Sequence, residues 1–185
     1  MQDWGNLSEQ ISNWISSYAS SNGISTLVVG VSGGIDSAVT SALCAKTGLR
    51  TMALNMPIHQ EPSQYDLSNQ HIEWLSTNWE NVESHIIDLS GAFDSMSAEL
   101  EKKAVDELAL ANTRARLRMA TLYSLAGSNN GIVVGTGNKV EDFGVGFFTK
   151  YGDGGVDISP IADLYKSEVY SMAKALGIIQ EIQDA

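Results

Sequence analysis

The sequence predicts an α/β fold class, with an open, largely parallel sheet and helices on both faces. Short apolar runs typical of buried strands alternate with helix-compatible stretches along the 185 residues. A glycine-rich turn separates the first of these runs, residues 27–31, from a helix-compatible stretch that begins at Ser37. Ligands of such sheets bind beyond the carboxyl ends of the strands, so this turn marks the edge at which a site is expected.

The first segment of the chain predicts an amphipathic helix. Apolar side chains recur every three or four residues from Trp4 to Tyr18, and the pattern stops near Asn22 and Gly23. Two tryptophans on one stripe require a substantial partner surface. That surface is either the sheet of the same chain or a second subunit.

The later segments predict the rest of the alternating order. Gly48 stops the helix after the first strand, and Pro57 closes the second strand. The elements predicted after the first strand are a helix at 37–46, a strand at 50–56, a helix at 62–79, a strand at 82–89, a helical region clearest at 107–125, a strand at 131–135 and a helix at 164–177.

Length and composition restrict the class of protein. A chain of 185 residues corresponds to one domain, and its net charge of −11 argues against nucleic-acid or anionic-membrane partners and favours small-molecule ligands. The single cysteine, Cys44, excludes disulfides within the chain and is expected in the core. His59, His71 and His85 lack metal-ligand spacing and are expected at the surface. No leader or membrane-spanning run is recognisable, so we expect a cytoplasmic protein.

The glycine-rich turn has the composition of a phosphate cradle. Gly33 and Gly34 allow an anion to approach the main chain, and the hydroxyls of Ser32 and Ser37 add donors. A carboxylate, Asp36, suits an anion site only with a divalent metal, so the loop predicts Mg²⁺ as well as nucleotide. The turn lacks the Gly-Lys-Ser/Thr ending of a Walker A loop. The alternative is a plain strand-to-helix turn capped by Ser or Asp.

A second polar cluster follows the fourth predicted strand. Residues 136–142 begin directly after that strand and should therefore open on the same edge as the phosphate loop. Residues 144–155 are too rich in glycine for a helix and have the composition of a shaped functional loop.

With both clusters identified, the chain resembles the ammonia-dependent NAD synthetases of the ATP-pyrophosphatase group. The match includes Gly30-Val31-Ser32-Gly33-Gly34-Ile35-Asp36-Ser37, residues 112–119, residues 135–139 with Glu141, and the Phe-Phe-Thr-Lys-Tyr-Gly-Asp-Gly-Gly of residues 147–155. The phosphate loop alone marks the wider group, whereas the last motif is nearly diagnostic of the synthetase. The resemblance implies a Rossmann-like sheet of the adenine-nucleotide alpha-hydrolase type, in a single domain over residues 1–185.

The resemblance also implies a two-step reaction on small molecules. The carboxylate of deamido-NAD⁺ attacks the α-phosphorus of ATP and releases pyrophosphate, and ammonia then displaces AMP to give NAD⁺. Adenylation makes the carboxylate oxygen a leaving group, which agrees with the chemistry that a phosphate cradle supports. Mg²⁺ as cofactor, free ammonia as nitrogen source and a homodimer follow from the same likeness.

The resemblance assigns roles by motif position. Asp36 and Glu141 correspond to the Mg²⁺ ligands, and Arg116, Lys150 and Asp157 to contacts with deamido-NAD⁺. The residues expected to bind ATP are Gly30, Val31, Ser32, Gly33, Gly34, Ile35, Asp36, Ser37, Thr136 and Lys166. The residues expected to take part in catalysis are Asp36, Lys150, Asp157 and Lys166.

These assignments have structural alternatives. Lys166 suits a surface lysine, Glu141 an exposed helix residue, and Asp157 a turn residue before Pro160. Two of the three arginines in residues 114–118 are expected to face solvent, because alternate residues of a helix cannot share one direction.

The chain also departs from the family pattern. Position 35 is Ile where relatives often carry a polar residue, and the family's chains continue beyond the equivalent of Ala185, so we expect this domain to lack their C-terminal segment. The alternative functions are another amidating ligase of the group, similar to GMP synthetase, and a nucleotide-binding sensor without turnover.

Overall fold

The computed structural model describes residues 2–101 and 105–185 and contains a parallel four-stranded sheet. The strands are β1 (Thr26–Gly30), β2 (Arg50–Asn55), β3 (Val82–Ile86) and β4 (Gly131–Val133), in the spatial order β3-β2-β1-β4. In register, Thr26 faces Arg50 of β2 on one side and Gly131 of β4 on the other. The predicted open parallel sheet is confirmed.

Helices connect and cover these strands. Their bounds are α1 (Trp4–Ser21), α2 (Ile35–Lys46), α3 (Pro62–Asn78), α4 (Ser90–Glu101), α5 (Glu107–Ser128), a π-helical turn (Val140–Val145), α6 (Lys166–Leu176) and α7 (Gln180–Gln183). The side chain of Asp3 accepts from Asn6 N–H at the start of α1, and Asp106 accepts from Ala109 N–H at the start of α5. Such N-caps satisfy backbone donors that lack a partner in the first turn.

The strands bury both faces of the sheet. Leu27 and Val29 of β1 belong to the larger core, which α1, α2, α3 and α6 cover, whereas Val28 between them points into a second core that includes Leu122 and Ala126 of α5. Alternate residues of a strand point to opposite faces, so an apolar run without polar alternation requires helices on both sides.

Two predicted strands are longer than the observed ones. β3 ends at Ile86 rather than residue 89, because β2 ends just before Pro57, which has no N–H to continue the ladder. β4 ends at Val133, and Val134 continues only as an isolated bridge to Ile158. The short helix α7 was not predicted. Residues 102–104 of the predicted helical region lie outside the described residues.

The stripe on α1 packs on its own chain and leaves two aromatic rings exposed. Ile15 is fully buried in the larger core, and the hydroxyl of Ser12 donates to the carbonyl of Leu43 in α2, 3.0 Å away. Trp14 and Tyr18 remain 47% and 38% exposed. Within the described ranges, no helix combines the length and the apolar character required to cross a bilayer.

Two titratable side chains of the core differ in how well the sequence predicted them. Cys44 is fully buried, as predicted, and burial raises the pKa of its thiol to about 12. His71 was expected at the surface but is also fully buried, since it stacks on Trp74 and its Nε2 lies 2.9 Å from the hydroxyl of Ser41. Loss of solvation lowers the pKa of His71 to about 4.

The buried His71 should make the stability of the fold pH-dependent. Below pH 6.5 the unfolded chain takes up a proton on this imidazole, whereas the folded chain does so only near pH 4. The free energy of unfolding should therefore fall by about 3 kcal/mol as the pH drops from 7 to 4. Denaturant unfolding of His71→Gln should lack this part of the slope, and the exposed control His59→Gln should keep it. Equal slopes in wild type and His71→Gln would contradict the assignment.

Candidate functional site

The phosphate loop connects the end of β1 to the start of α2. Val31 N–H donates to the carbonyl of Leu54 at 2.8 Å, which anchors the loop on β2. Gly33 has φ +84°, and a Cβ there would lie 2.9 Å from the carbonyl oxygen of Gln64. This position therefore requires glycine for both its conformation and its close approach to α3.

The two serine hydroxyls of the loop bond to the loop itself. Ser37 Oγ donates to the carbonyl of Gly34 at 2.9 Å and accepts from Ser32 N–H at 3.1 Å. Ser32 Oγ accepts from Gly34 N–H at 3.3 Å. Gly34 is the N-cap residue of α2, and within the described part of the chain no side chain caps this helix start. The first turn of α2 thus keeps the positive end of its dipole available to an anion.

Four side chains form a closed polar ring where α2, the π-helical turn and α6 meet. Lys166 Nζ bonds to Asp36 Oδ2 and lies 3.4 Å from Glu141 Oε1. Asn138 Nδ2 donates to Asp36 Oδ1 at 3.0 Å. Asn138 Oδ1 accepts from the backbone N–H of Glu141 at 3.2 Å, which completes the ring.

The charges of this ring influence one another. Burial alone would lower the pKa of Lys166, but its hydrogen bond to Asp36 and the charges of Asp36 and Glu141 outweigh burial and raise it. The pKa of Asp142 is raised by burial and by the carboxylates of Glu141, Asp153 and Asp36. The site therefore holds more negative charge than its single ammonium compensates, and it attracts a further cation.

Two cavities adjoin the loop on the edge formed by the strand ends. The smaller one, of about 170 Å³, is lined by Asp36, Glu141 and Thr136 among others, and the larger one has a volume of about 440 Å³. The larger cavity is lined by Gly30, Val31, Ser32, Ser37, Asn55, Met56, Gln60, Ala115, Arg118, Met119, Leu122, Val134, Gly135, Thr136, Gly152, Asp153, Gly155 and Val156. Its volume lies within the range of small-molecule sites.

The glycine-rich segment forms one wall of the larger cavity. A Cβ on Gly152 would lie 2.9 Å from Ala115 Cβ of α5, so the segment can approach this helix only with glycine at that position. Thr149 Oγ1 donates to Asn112 Oδ1 at 2.7 Å, and Thr149 N–H donates to Asp153 Oδ1 at 2.8 Å. The segment is thus an ordered wall rather than a linker.

The arginines of α5 do not divide as the sequence predicted. Arg114 lies 4.3 Å above the ring of Phe93, and Arg118 is half-buried, so the expectation that two of the three face solvent is wrong. Residues four apart share a helix face, which places Arg114 and Arg118 together and leaves Arg116 exposed.

Arg118 lines the larger cavity with donors to spare. Its Nε donates to the carbonyl of Met56 at 2.9 Å, and its Nη2 donates to Gln60 Oε1 at 3.2 Å. Burial and the charge of Arg114 lower the pKa of Arg118. An arginine has five N–H donors, so these two bonds leave three for a ligand.

The sequence also matches a known protein family over nearly its whole length. A family model described as NAD synthase matches residues 7–184. The chain belongs to the NAD synthase family. The ammonia-dependent NAD⁺ synthetase of Finegoldia magna is 37% identical over 177 residues, which cover 95% of this chain and 70% of that protein.

Solved structures of the NAD synthase family have the same fold. The NMN synthetase of Francisella tularensis superposes with a TM-score of 0.90 at 35% identity, over all of this chain and 75% of that one. The ammonia-dependent NAD synthetase of Campylobacter jejuni, solved with a nitrate ion, gives 0.89 at 31% identity, over 99% of this chain and 77% of that one. The curated relatives are carbon–nitrogen ligases.

The structure brings most of the predicted site residues to the phosphate loop, the two cavities or the polar ring, and it leaves three of them outside. Gly33 and Ile35 shape the loop without lining a cavity, and Lys166 joins through Asp36. The predicted residues that line one or both cavities are Gly30, Val31, Ser32, Gly34, Asp36, Ser37, Thr136 and Glu141. Besides Gly33, Ile35 and Lys166, the predicted residues that line neither cavity are Arg116, Lys150 and Asp157, and these three have no bond to the polar ring.

The three residues outside the cavities have other contacts. Arg116 Nε donates to the backbone carbonyl of Lys150 at 3.2 Å, and both residues are exposed. Asp157 accepts from Tyr123 OH at 2.9 Å and from Val133 N–H at 2.7 Å. Burial, then the hydrogen bond and charge of Asp157, raise the pKa of Tyr123 to about 12, so this phenol remains a donor at neutral pH.

Sequence reasoning missed two polar residues of this site. Asn138 was quoted within a motif but received no role, and Arg118 was not separated from its neighbours. The spacing of four between Arg114 and Arg118 was a usable signal for the second. For Asn138 the signal was its position just after a strand that ends at the same edge as the phosphate loop.

The two carboxylates of the polar ring, Asp36 and Glu141, suit a magnesium ion that is shared with a substrate. Within residues 2–101 and 105–185, no three Asp, Glu, His or Cys side chains are arranged to hold an ion by themselves. Proteins usually bind Mg²⁺ through one or two carboxylates together with substrate phosphates and water. Asp36 and Glu141, beside a phosphate loop, are such a pair.

The two glycines of the phosphate loop should tolerate alanine very differently. Gly33→Ala places a side chain at φ +84° and 2.9 Å from a backbone oxygen, so we expect the free energy of unfolding to fall by about 2 kcal/mol. Gly34 has φ −90°, and its nearest Cβ contact would be 3.5 Å, so Gly34→Ala is the matched control with little loss. Denaturant unfolding measures both, and equal losses would contradict the loop geometry.

Proposed function

We propose that this chain amidates deamido-NAD⁺ with ammonia at the expense of ATP, through an adenylated intermediate, and releases AMP and pyrophosphate. The observation that supports this most strongly is the convergence on one sheet edge of the phosphate loop, the Asp36–Glu141 pair and a cavity of about 440 Å³. Membership of the NAD synthase family supplies the reaction class.

In this proposal the phosphates of ATP lie against the loop and the start of α2. The backbone N–H groups there and the hydroxyls of Ser32 and Ser37 donate to phosphate oxygens, and the helix dipole favours the negative charge. Thr136 lines both cavities, and in this proposal its hydroxyl donates to the same nucleotide. The adenosine then occupies the larger cavity, where Arg118 offers its remaining donors.

Asp36 and Glu141 would hold Mg²⁺. The ion would neutralise charge on the phosphates and on the departing pyrophosphate. Lys166 is 42% exposed and comes from a separate helix, so its ammonium can leave the two carboxylates and donate to phosphate. The first step then forms a bond from the substrate carboxylate oxygen to the α-phosphorus and breaks the bond to pyrophosphate.

The second step requires room for ammonia at the adenylated carbonyl carbon. Nitrogen forms a bond to that carbon, the carbon–oxygen bond to AMP breaks, and a proton goes to solvent. We place the carboxylate substrate at the outer rim, where the exposed Arg116 and Lys150 supply cations for its phosphates. Asp157 is exposed despite its two hydrogen bonds, so it can also accept from this substrate.

A second candidate substrate is a mononucleotide. The Francisella relative with a TM-score of 0.90 is an NMN synthetase, which suggests the carboxylate counterpart of NMN as the group that is amidated. The chemistry at the loop is the same for both substrates. The two differ only in how much substrate extends beyond the reacting carboxylate.

We also propose that the chain acts as one catalytic domain, as a homodimer in the cytoplasm. Exposed apolar side chains support association, among them Met96 at 45% and Leu108 at 71% exposure on neighbouring helices α4 and α5. The buried thiol of Cys44 suits a reducing compartment.

Pyrophosphate release tests the proposed function and its two carboxylates. With ATP, Mg²⁺ and ammonia, release should require deamido-NAD⁺, or the acid form of NMN for the second candidate, and should equal the amide formed. Asp36→Ala and Glu141→Ala should each slow release roughly 100-fold or more, because charge on the leaving group loses its compensation. The exposed control Asp66→Ala should match wild type.

Three results of this assay would contradict the proposal. Release that ignores both carboxylate substrates would indicate a different ligase of the group. ATP binding without release would indicate a nucleotide sensor. Wild-type rates in Asp36→Ala or Glu141→Ala would remove the metal role of that residue.

Substitution of two arginines on α5 should affect the binding of ATP and of deamido-NAD⁺ differently. Arg118→Ala should weaken ATP binding by about 10- to 150-fold with little effect on the binding of deamido-NAD⁺, since a hydrogen bond to a charged group contributes roughly 1.5–3 kcal/mol. Arg116→Ala and Lys150→Ala should do the reverse. Equilibrium titration of each ligand measures this, with the thermal midpoint of each variant as a check on folding. Equal weakening of both ligands by any one variant would refute its placement.

A further inference from the structure

Asn138 is a fully buried polar side chain at the centre of the site. It follows β4, two residues before the π-helical turn begins, and it contacts the phosphate-loop helix from there. A buried amide that lacked partners would be costly, so its contacts define what it does.

The amide of Asn138 uses its two ends for two different segments. Nδ2 donates to Asp36 Oδ1 at 3.0 Å, and Oδ1 accepts from the backbone N–H groups of Val140 at 3.0 Å and Glu141 at 3.2 Å. A carboxylate accepts only, and an N–H donates only, so these partners fix the orientation of the amide group. One rigid side chain therefore joins the carboxylate of Asp36 to the backbone that carries Glu141.

This link matters because Asp36 and Glu141 belong to segments that follow different strands. Asp36 lies in the first turn of α2, after β1, whereas Glu141 lies in the π-helical turn after β4. Lys166 also bridges them, but its side chain is 42% exposed and is needed elsewhere once phosphate binds. The buried side chain of Asn138 keeps its contacts whether or not the Lys166 ammonium moves to phosphate.

The same link decides which oxygen of Asp36 is available. Oδ1 is held by Asn138, and Oδ2 is the oxygen that bonds to Lys166. A cation that displaces the ammonium thus meets Oδ2 in an orientation set by Asn138. Outer groups that hydrogen-bond to metal-ligating side chains commonly change metal affinity by 10–100-fold when they are removed.

We propose that Asn138 is a positioning residue that holds Asp36 and Glu141 at a common spacing for the divalent cation. It acts through these two carboxylates and does not itself bind the ion. The inference rests on the proposed function, because it assumes that a divalent cation binds with the nucleotide at this pair.

The deciding variant is Asn138→Ser. Serine keeps an oxygen that can accept from the N–H groups of Val140 and Glu141, as it does at helix N-caps, but it is too short to donate to Asp36. Asn138→Thr fills more of the same space and replaces it if the serine variant fails to fold. Asn81→Ser is the matched control, because the amide of Asn81 also joins separate segments, but away from the site. Its Nδ2 donates to the carbonyls of Ala45 and Leu49.

The experiment compares the binding of α,β-methylene ATP with Mn²⁺ and with EDTA by isothermal titration. The gain in affinity that Mn²⁺ gives to the nucleotide should fall about tenfold in Asn138→Ser, while affinity without metal stays at the wild-type value. A merely structural role would weaken both. Asn81→Ser should leave both unchanged.

The outcomes distinguish failure of the positioning role of Asn138 from failure of the proposed function. A wild-type gain in Asn138→Ser, or an equal loss with and without metal, would overturn the positioning role and leave the proposed function standing. If Mn²⁺ gave the wild-type protein no gain at all, the metal pair of the proposed function would be wrong and this inference with it.

Discussion

The site depends on a single feature of the sheet, the pairing of β1 with β2 on one side and with β4 on the other. After β1 the chain forms β2 and β3 on one side of β1, and it then crosses back to form β4 on the other side. The connections that follow β1 and β4 therefore run in opposite directions. The loops that follow these two strands diverge and leave a crevice between them. The phosphate loop and Thr136 face each other across that crevice because Val28 and Val133 are in register below it. Neither loop would form a site alone.

The charge of the crevice is the second constraint. A protein with net charge −11 that binds polyphosphate must overcome repulsion at long range and at the site. Asp36, Glu141, Asp142 and Asp153 all line the smaller cavity, and burial first, then the charges of the other three carboxylates, raise the pKa of Asp142. Lys166 compensates part of this charge. In the proposed function, a metal–nucleotide complex would bring its own compensation and would release the ammonium for phosphate.

The sequence was sufficient for the parallel sheet, the longer helices and the glycine-rich turn after β1, because each depends on local chemistry. Apolar runs, the Gly33-Gly34 pair and the carboxylate at Asp36 act through periodicity, backbone freedom and charge. Tertiary contacts decided the rest. His71 looked like a surface residue, yet Ser41 and Trp74 enclose it. The end of β3 depended on Pro57, which follows the neighbouring strand β2, and no pattern within β3 could show this.

The division between an inner cavity and an outer rim limits which substrates the site can accept. A volume of about 440 Å³ lies within the range of sites for one small molecule, and in the proposed function the larger cavity takes the adenosine of ATP. In the proposed function, the carboxylate substrate would extend outward past Gly152, whose close approach to Ala115 fixes that wall. The exposed Arg116 and Lys150 would then be the cations that it meets. Under this arrangement, discrimination between a dinucleotide and a mononucleotide would belong to the outer rim and adenylation to the crevice, so that the two would vary independently.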